Sequence, residues 1–378
     1  MSKSISSKLL RQGGYGCIYY PGITCSGFAD TKNKFATKVQ KNSHNTINEI
    51  NIGKMIMKIP NYTFYFVPIL KSCPIKLKAL HVREQELSKC KVISKNNDED
   101  YILMTMPYIA NKTFDSLFVN KNKNNKNKLL NLIDTYTTLL YEISILVENK
   151  IVHLDLKADN ILYNTNLNIV QIIDFGISIP ITKLTNENMK QYFYVYGPDY
   201  YLWSFEVHVI NFLLHQMPDD ADADANANAN ANANANADAN ANANANANAN
   251  ANAILTKEHI NKIVTDVDIN NKVLKLFSKS FADMYKEACV VFLTTFIGID
   301  KYKIIEELLK TYETWDNFSL SILYLDLLKT IYPSGFPNNP FIIDFSQLLI
   351  RNILPDSNKR YSIKDTKSRF NAIQKQLK

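Results

Sequence analysis

The feature that most constrains this chain is a fixed succession between residues 129 and 176: a helical stripe, a short polar loop, and an apolar run ending on a carboxylate. Leu129, Leu132, Ile133, Tyr136, Leu139, Leu140 and Ile143 recur at three- and four-residue intervals, which predicts an amphipathic helix ending near Lys150. Residues 151–160, IVHLDLKADN, follow directly, and residues 170–176 read VQIIDFG. Asp155 and Asn160 thus share one short loop, and Asp174 closes an apolar strand just before Gly176.

These residue types suit phosphoryl transfer. That reaction leaves a protein little covalent work: one carboxylate orients and deprotonates the attacking hydroxyl, and oxygen ligands hold magnesium against the phosphates. Asp155 is the candidate base, with Asn160 and Asp174 as metal ligands. Lys157, two residues from the base, can neutralise charge on the transferred group. The stretch resembles the HRDxKxxN and DFG motifs of the eukaryotic-type serine/threonine protein kinase family, with Leu154 in place of the usual Arg. The resemblance implies an α+β, bilobal protein kinase fold, a β-rich N-lobe with one key helix and a mainly helical C-lobe. It also implies ATP and Mg2+ as cofactors and proteins as substrates.

The resemblance extends in both directions. Residues 10–18, LRQGGYGCI, resemble the family's glycine-rich loop, with Gly13, Gly14, Tyr15, Gly16 and Ile18 as nucleotide-contact candidates and Arg11 standing where the first glycine is usual. Glycine there lets backbone N–H groups approach phosphates. Ala36 fits the roof of an adenine pocket and Lys38 resembles the lysine that holds the α- and β-phosphates. Glu49 is the sole acidic residue between Lys38 and Lys78, so it is the expected partner. Gly53 stands where the family places a bulky apolar residue, which points either to a different register or to a loosely positioned helix. Residues 102–109 resemble the gatekeeper and hinge, with Met106 as gatekeeper and Tyr108 in the hinge; Met104 is the competing register. Trp203–Glu206 resembles the APE motif, residues 315–321 the DxWSxG of a central helix, and residues 354–362 the segment whose Arg360 pairs with Glu206.

The expected kinase domain spans 8–370, with an N-lobe to about 106, a hinge over 107–111 and a C-lobe beyond. Strands are predicted at Cys17–Tyr20, Lys34–Gln40, Phe64–Leu70, Lys91–Ser94 and Tyr101–Met106, a helix near Asn45–Ile59, and a polar loop over Asn120–Lys128. Residues 221–253 are an Ala-Asn/Asp repeat with no large apolar side chain, so 218–253 reads as a disordered insertion. Residues 254–310 read as added helices.

A net charge of +7 is spread over many lysines, with no run of cations and aromatics to bind nucleic acid. The longest apolar stretch, residues 288–299, is too short to cross a membrane. The five cysteines are widely spaced, which predicts neither a disulfide framework nor a zinc site, and a reducing intracellular setting. Cys17 reads as an inert thiol. A monomer is expected. The loop style and the Asn/Lys/Ile/Tyr-rich composition are similar to kinases of large double-stranded DNA viruses, which implies host cytoplasm or virion. A catalytically weak scaffold of the same fold and a small-molecule phosphotransferase are the competing functions.

Overall fold

The computed structural model describes residues 6–93, 100–119, 125–218, 253–270, 274 and 277–377. The chain divides into two compact units, one ending at Thr182 and the other starting at Lys183.

The first unit opens with β1 (Lys8–Gln12), β2 (Gly16–Tyr20) and β3 (Phe35–Lys41), followed by the helix α1 (His44–Ile56). Ser43 starts α1 by accepting from the Thr46 amide through its Oγ, filling one of the orphan donors of the first turn. The buried face of α1 carries Glu49, Ile52, Gly53 and Ile56, three- and four-residue neighbours. After β4 (Phe66–Val67), β5 (Lys71–Lys76), the short α2 (Glu84–Ser88) and β6 (Asp100–Pro107), the antiparallel sheet is complete in the order β1-β2-β3-β6-β5.

Beyond β6 come β7 (Asn111–Thr113), α3 (Ser116–Val119) and the long α4 (Asn125–Glu148). Leu132, Tyr136, Leu139, Leu140, Ile143 and Leu146 of α4 are buried, so the predicted stripe is the core face. β8 (Ile151–Val152), β9 (Ile161–Asn164), β10 (Ile169–Ile173) and β11 (Ile179–Pro180) finish the unit. β10 lies between β4 and β9, and β8 pairs with β11.

The second unit is helical: α5 (Met189–Tyr192), α6 (Phe205–His215), α7 (Lys257–Asn270), α8 (Lys279–Thr294), α9 (Lys301–Leu309), α10 (Trp315–Ile331), α11 (Pro340–Asn352) and α12 (Ile363–Gln374). α10 is buried almost all round, as a helix must be when the others pack on it. The predicted added helices are α7, α8 and α9. Lys301, fully buried, donates from Nζ to the carbonyls of Met217 (3.3 Å) and Pro218 (2.6 Å), and its amide donates to Ala253 O at 2.9 Å. The points where the chain enters and leaves the Ala-Asn/Asp repeat are therefore tied to one residue. Residues 219–252, read as disordered, lie outside the described residues.

Several expectations are corrected. Residues 91–93 form a turn rather than a strand, and Ser94 lies outside the described residues. The Phe64–Leu70 strand shrinks to Phe66–Val67, and β5 was not predicted at all. β5 holds Pro74 and is the outermost strand, where a missing ladder donor is tolerated. Residues 125–128, expected in a loop, are the first turn of α4; residues 120–124 lie outside the described residues. The cysteine reading also fails: Cys17 pairs with Cys90 and Cys25 with Cys73. Partners 73 and 48 residues apart leave no local spacing signal. Cys17 is thus a cystine half, not a thiol.

Gly53 is not a sign of a loose helix. A Cβ there would come within 2.6 Å of Ile69 O, so glycine lets α1 sit directly on the backbone leading into β5.

Candidate active site

Lys38 and Glu49 come from adjacent elements of the first unit, β3 and α1, and meet at 2.8 Å. The same ammonium reaches Asp174 Oδ1 at 2.9 Å. Burial by itself would lower the Lys38 ammonium, but the Glu49 and Asp174 carboxylates outweigh it and hold its pKa above the ordinary value. Burial pushes Glu49 up to about 7, against the pull of Lys38 and with Asp174 adding to the rise. Asp174 moves the other way: burial would raise it, yet the Lys38 charge outweighs that and keeps it low. Its φ of 65° aims the carboxylate at Lys38, a conformation that Asp adopts more readily than most residues.

The catalytic-loop candidates form a second knot. Lys157 Nζ donates to both carboxylate oxygens of Asp155 at 2.9 Å. Asn160 Nδ2 donates to Asp155 Oδ2 at 2.7 Å and to Asp155 O at 2.9 Å. The Asp155 amide in turn donates to His153 Nδ1 at 3.2 Å, and His153 Nε2 lies 3.0 Å from Ile173 O, one residue before Asp174. The two aspartates are thereby linked through the His153 ring. With Nδ2 of Asn160 committed, its Oδ1 is the oxygen left for a cation. That atom and the Asp174 carboxylate are hard oxygen donors of the kind magnesium takes. Among the described residues no three His, Cys, Asp or Glu side chains gather as a protein cage. Such a site suits a cation that takes its remaining ligands from phosphates and water.

The glycine-rich segment is the turn between β1 and β2. Gly13 N donates to Gly16 O at 2.9 Å, and a Cβ on Gly16 would meet Val39 O at 2.7 Å. Gly14 has open space around it, and Tyr15 is half exposed at the tip. Ile18 pairs with Lys38, and Ala36 with Met106. Met104 pairs with Lys38 and is fully buried in a cluster with Ile69 and Ile102, while Met106 packs on that cluster's edge. Tyr108 donates its amide to Lys34 O at 2.9 Å and stacks on Tyr20, ring centroids 3.7 Å apart.

Three contributors were not singled out from sequence. Asn48, one residue before Glu49, donates from Nδ2 to Gly176 O (3.2 Å) and Ser178 O (2.7 Å), tying α1 to the segment after Asp174. Phe66 meets Phe175 edge-on at 6.1 Å, and Phe175 meets His153 at 5.0 Å, so a run of rings links β4 to the catalytic loop through the residue after Asp174. Neither residue carries a sequence signal of its own; only His153, as part of its motif, could have been picked out.

In the second unit Arg360 and Glu206 pair at 2.9 Å with neither side chain exposed. Arg360 also donates to Leu354 O (2.6 Å), Pro355 O (3.3 Å) and Thr314 Oγ1 (3.2 Å). Ser319 Oγ holds Leu202 O at 2.7 Å, fixing the approach to the Trp203–Glu206 motif.

Comparison with known proteins agrees with this geometry. Over 176 residues the chain is 24% identical to the mitogen-activated protein kinase kinase kinase nsy-1 of Caenorhabditis elegans, covering 47% of this chain and 10% of that protein. The chain therefore spans about a tenth of that relative's length. The protein kinase domain family matches residues 80–289, more than half of the chain and including both aspartate motifs. Its stretch begins after the glycine-rich turn and Lys38, whose assignment rests on the ion pairs above. The chain belongs to the protein kinase family.

Proposed function

We propose that this protein kinase transfers the γ-phosphate of ATP to serine or threonine hydroxyls of proteins, with magnesium, and without needing a phosphorylated activation segment. The observation that carries the reading is Lys38 held between Glu49 and Asp174 while Asp155 is held by Lys157 and Asn160.

In this reading the Gly13–Gly16 turn covers the phosphates and Lys38 neutralises them. Ala36, Ile18, Met106 and Tyr108 frame the base, Met106 being favoured over the core-buried Met104 as gatekeeper. Asp155 accepts the proton of the attacking hydroxyl, and Lys157, already at its carboxylate, offsets charge on the moving phosphoryl group. A magnesium ion held by Asp174 and Asn160 would neutralise phosphate charge. Lys157 beside the base favours a serine or threonine acceptor, and the roundworm relative's description fits a protein acceptor. The two disulfides favour a compartment in which thiols stay oxidised.

The decisive assay incubates the full chain and Asp155→Ala with radiolabelled ATP and a mixture of proteins, followed by phosphoamino-acid analysis. Phosphoserine and phosphothreonine that vanish with Asp155→Ala are expected; equal labelling by both proteins would sink the reading, and phosphotyrosine alone would overturn the acceptor. Independence from phosphorylation rests on Leu154, which is buried where the family carries the phosphate-receiving Arg. Alanine at Thr182 and Thr185 together should leave activity within about twofold. A loss beyond tenfold would refute that part.

A further inference from the structure

We infer that Arg11 is a positioning residue: it straps the glycine-rich turn to the catalytic loop and slows nucleotide exchange, an inference that rests on the ATP-binding reading of this cleft. Where a glycine is usual, the chain carries its longest cation. The Arg11 guanidinium forks onto Asp159, Nη1 to the backbone O at 3.0 Å and Nη2 to Oδ1 at 2.8 Å, joining residues 148 apart in sequence. A two-pronged contact of this kind fixes orientation as well as distance.

The strand is shaped to make the contact. Leu9 pairs with Tyr19 and Arg11 with Ile18, so Leu10 is an extra, unpaired residue in β1. A bulge of one residue reverses which face the following side chains take, and so aims Arg11. Both ends of the strap are anchored. β1 is held by Glu86 Oε2, which accepts from the Leu9 amide at 3.0 Å, and β2 by the Cys17–Cys90 disulfide. Asp159 stands between Lys157 and Asn160, the two residues bonded to Asp155.

The Asp159 side chain is 73% exposed. The pair therefore spans from the phosphate-covering turn to the loop that carries the base, at a point open to solvent. An exposed pair is screened by salt and worth a small factor, about two- to fivefold in a rate.

The test measures release of a fluorescent methylanthraniloyl-ATP analogue from the full chain by stopped flow at low and high salt. Arg11→Gly and Asp159→Asn should each release it about two- to fivefold faster at low salt and lose the wild type's acceleration by salt. The reversed pair, Arg11→Asp with Asp159→Arg, should regain slow, salt-sensitive release, which a merely structural role for either residue would not give. Wild-type rates in both single variants would overturn the strap. Amide hydrogen exchange of residues 12–17 in nucleotide-free protein supplies a readout that needs no ligand. Faster exchange in Arg11→Gly supports the strap and unchanged exchange refutes it. A wild type that fails to bind the analogue while exchange responds to Arg11→Gly would reject the ATP reading and keep the strap.

Discussion

In the first unit Lys38 is shared between two carboxylates, Glu49 at 2.8 Å and Asp174 at 2.9 Å, and Asp174 is 42% exposed. In the second, Arg360 meets Glu206 and spends its remaining donors on Thr314 and two backbone carbonyls, with neither partner exposed. Two negative charges on one ammonium leave an excess that a third party must balance, and Glu49 is pushed up to about 7 chiefly by burial, with Asp174 adding to the rise. A guanidinium with its fork filled has nothing left to exchange. In the proposed reading the first arrangement accepts phosphates, whereas the second stays put. Both look alike as a buried cation beside a buried Glu; what separates them is the count of partners and the access of solvent.

Breaking the second pair should cost most. Arg360→Leu leaves Glu206 buried and uncompensated, so denaturant unfolding should show a loss of about 3–5 kcal/mol. A loss below about 1 kcal/mol would make it another exchangeable pair. Lys38→Met should do the reverse, lowering the phosphorylation rate about 10²–10³-fold while shifting the unfolding midpoint less than Arg360→Leu does. Full activity in that variant would remove Lys38 from the phosphate site.

The units also differ in covalent closure: both disulfides lie in the first, whereas Cys289, buried in the second, is in none. Cys17→Ser with Cys90→Ser should destabilise the chain by about 2–4 kcal/mol. Unchanged unfolding in reductant and oxidant would mean the thiols do not pair.

The smallest effect is a pH dependence. Folded Glu49 keeps its proton to about 7, whereas the unfolded chain releases it near 4.5. Folding therefore binds a proton in that window, so this residue's contribution to stability falls as pH rises from 4.5 towards 7. Charging the Lys38 partner runs the opposite way, and activity should drop up to about tenfold per pH unit below 7. An acid limb with its midpoint under 5 would show Glu49 ionised throughout, and would draw the two pairs closer in character.

How much was legible follows from where each signal lies. The loop with Asp155, Lys157 and Asn160, and the strand ending on Asp174, are contiguous stretches whose chemistry needs nothing from elsewhere. Glu49 was reached by elimination. Arg360 and Glu206 were legible through motifs flanking each of them. The sequence did not disclose contacts made by backbone or by chance proximity in space. Gly53 makes sense only beside Ile69 O, Asn48 only beside Gly176 and Ser178, and Arg11 only beside Asp159. β5 hid behind Pro74 and the exposed lysines at its two ends, because an edge strand lacks the apolar pattern by which strands are found.

Lys301 binds carbonyls on both sides of the Ala-Asn/Asp tract, so the fold meets that tract at a single buried point. If the tract carries no structure of its own, as its composition predicts, closing it costs only about 0.6 kcal/mol more for each doubling of its length. Dipeptide units could then be gained or lost in the gene, one slip of replication at a time, and the kinase on either side would scarcely register the change.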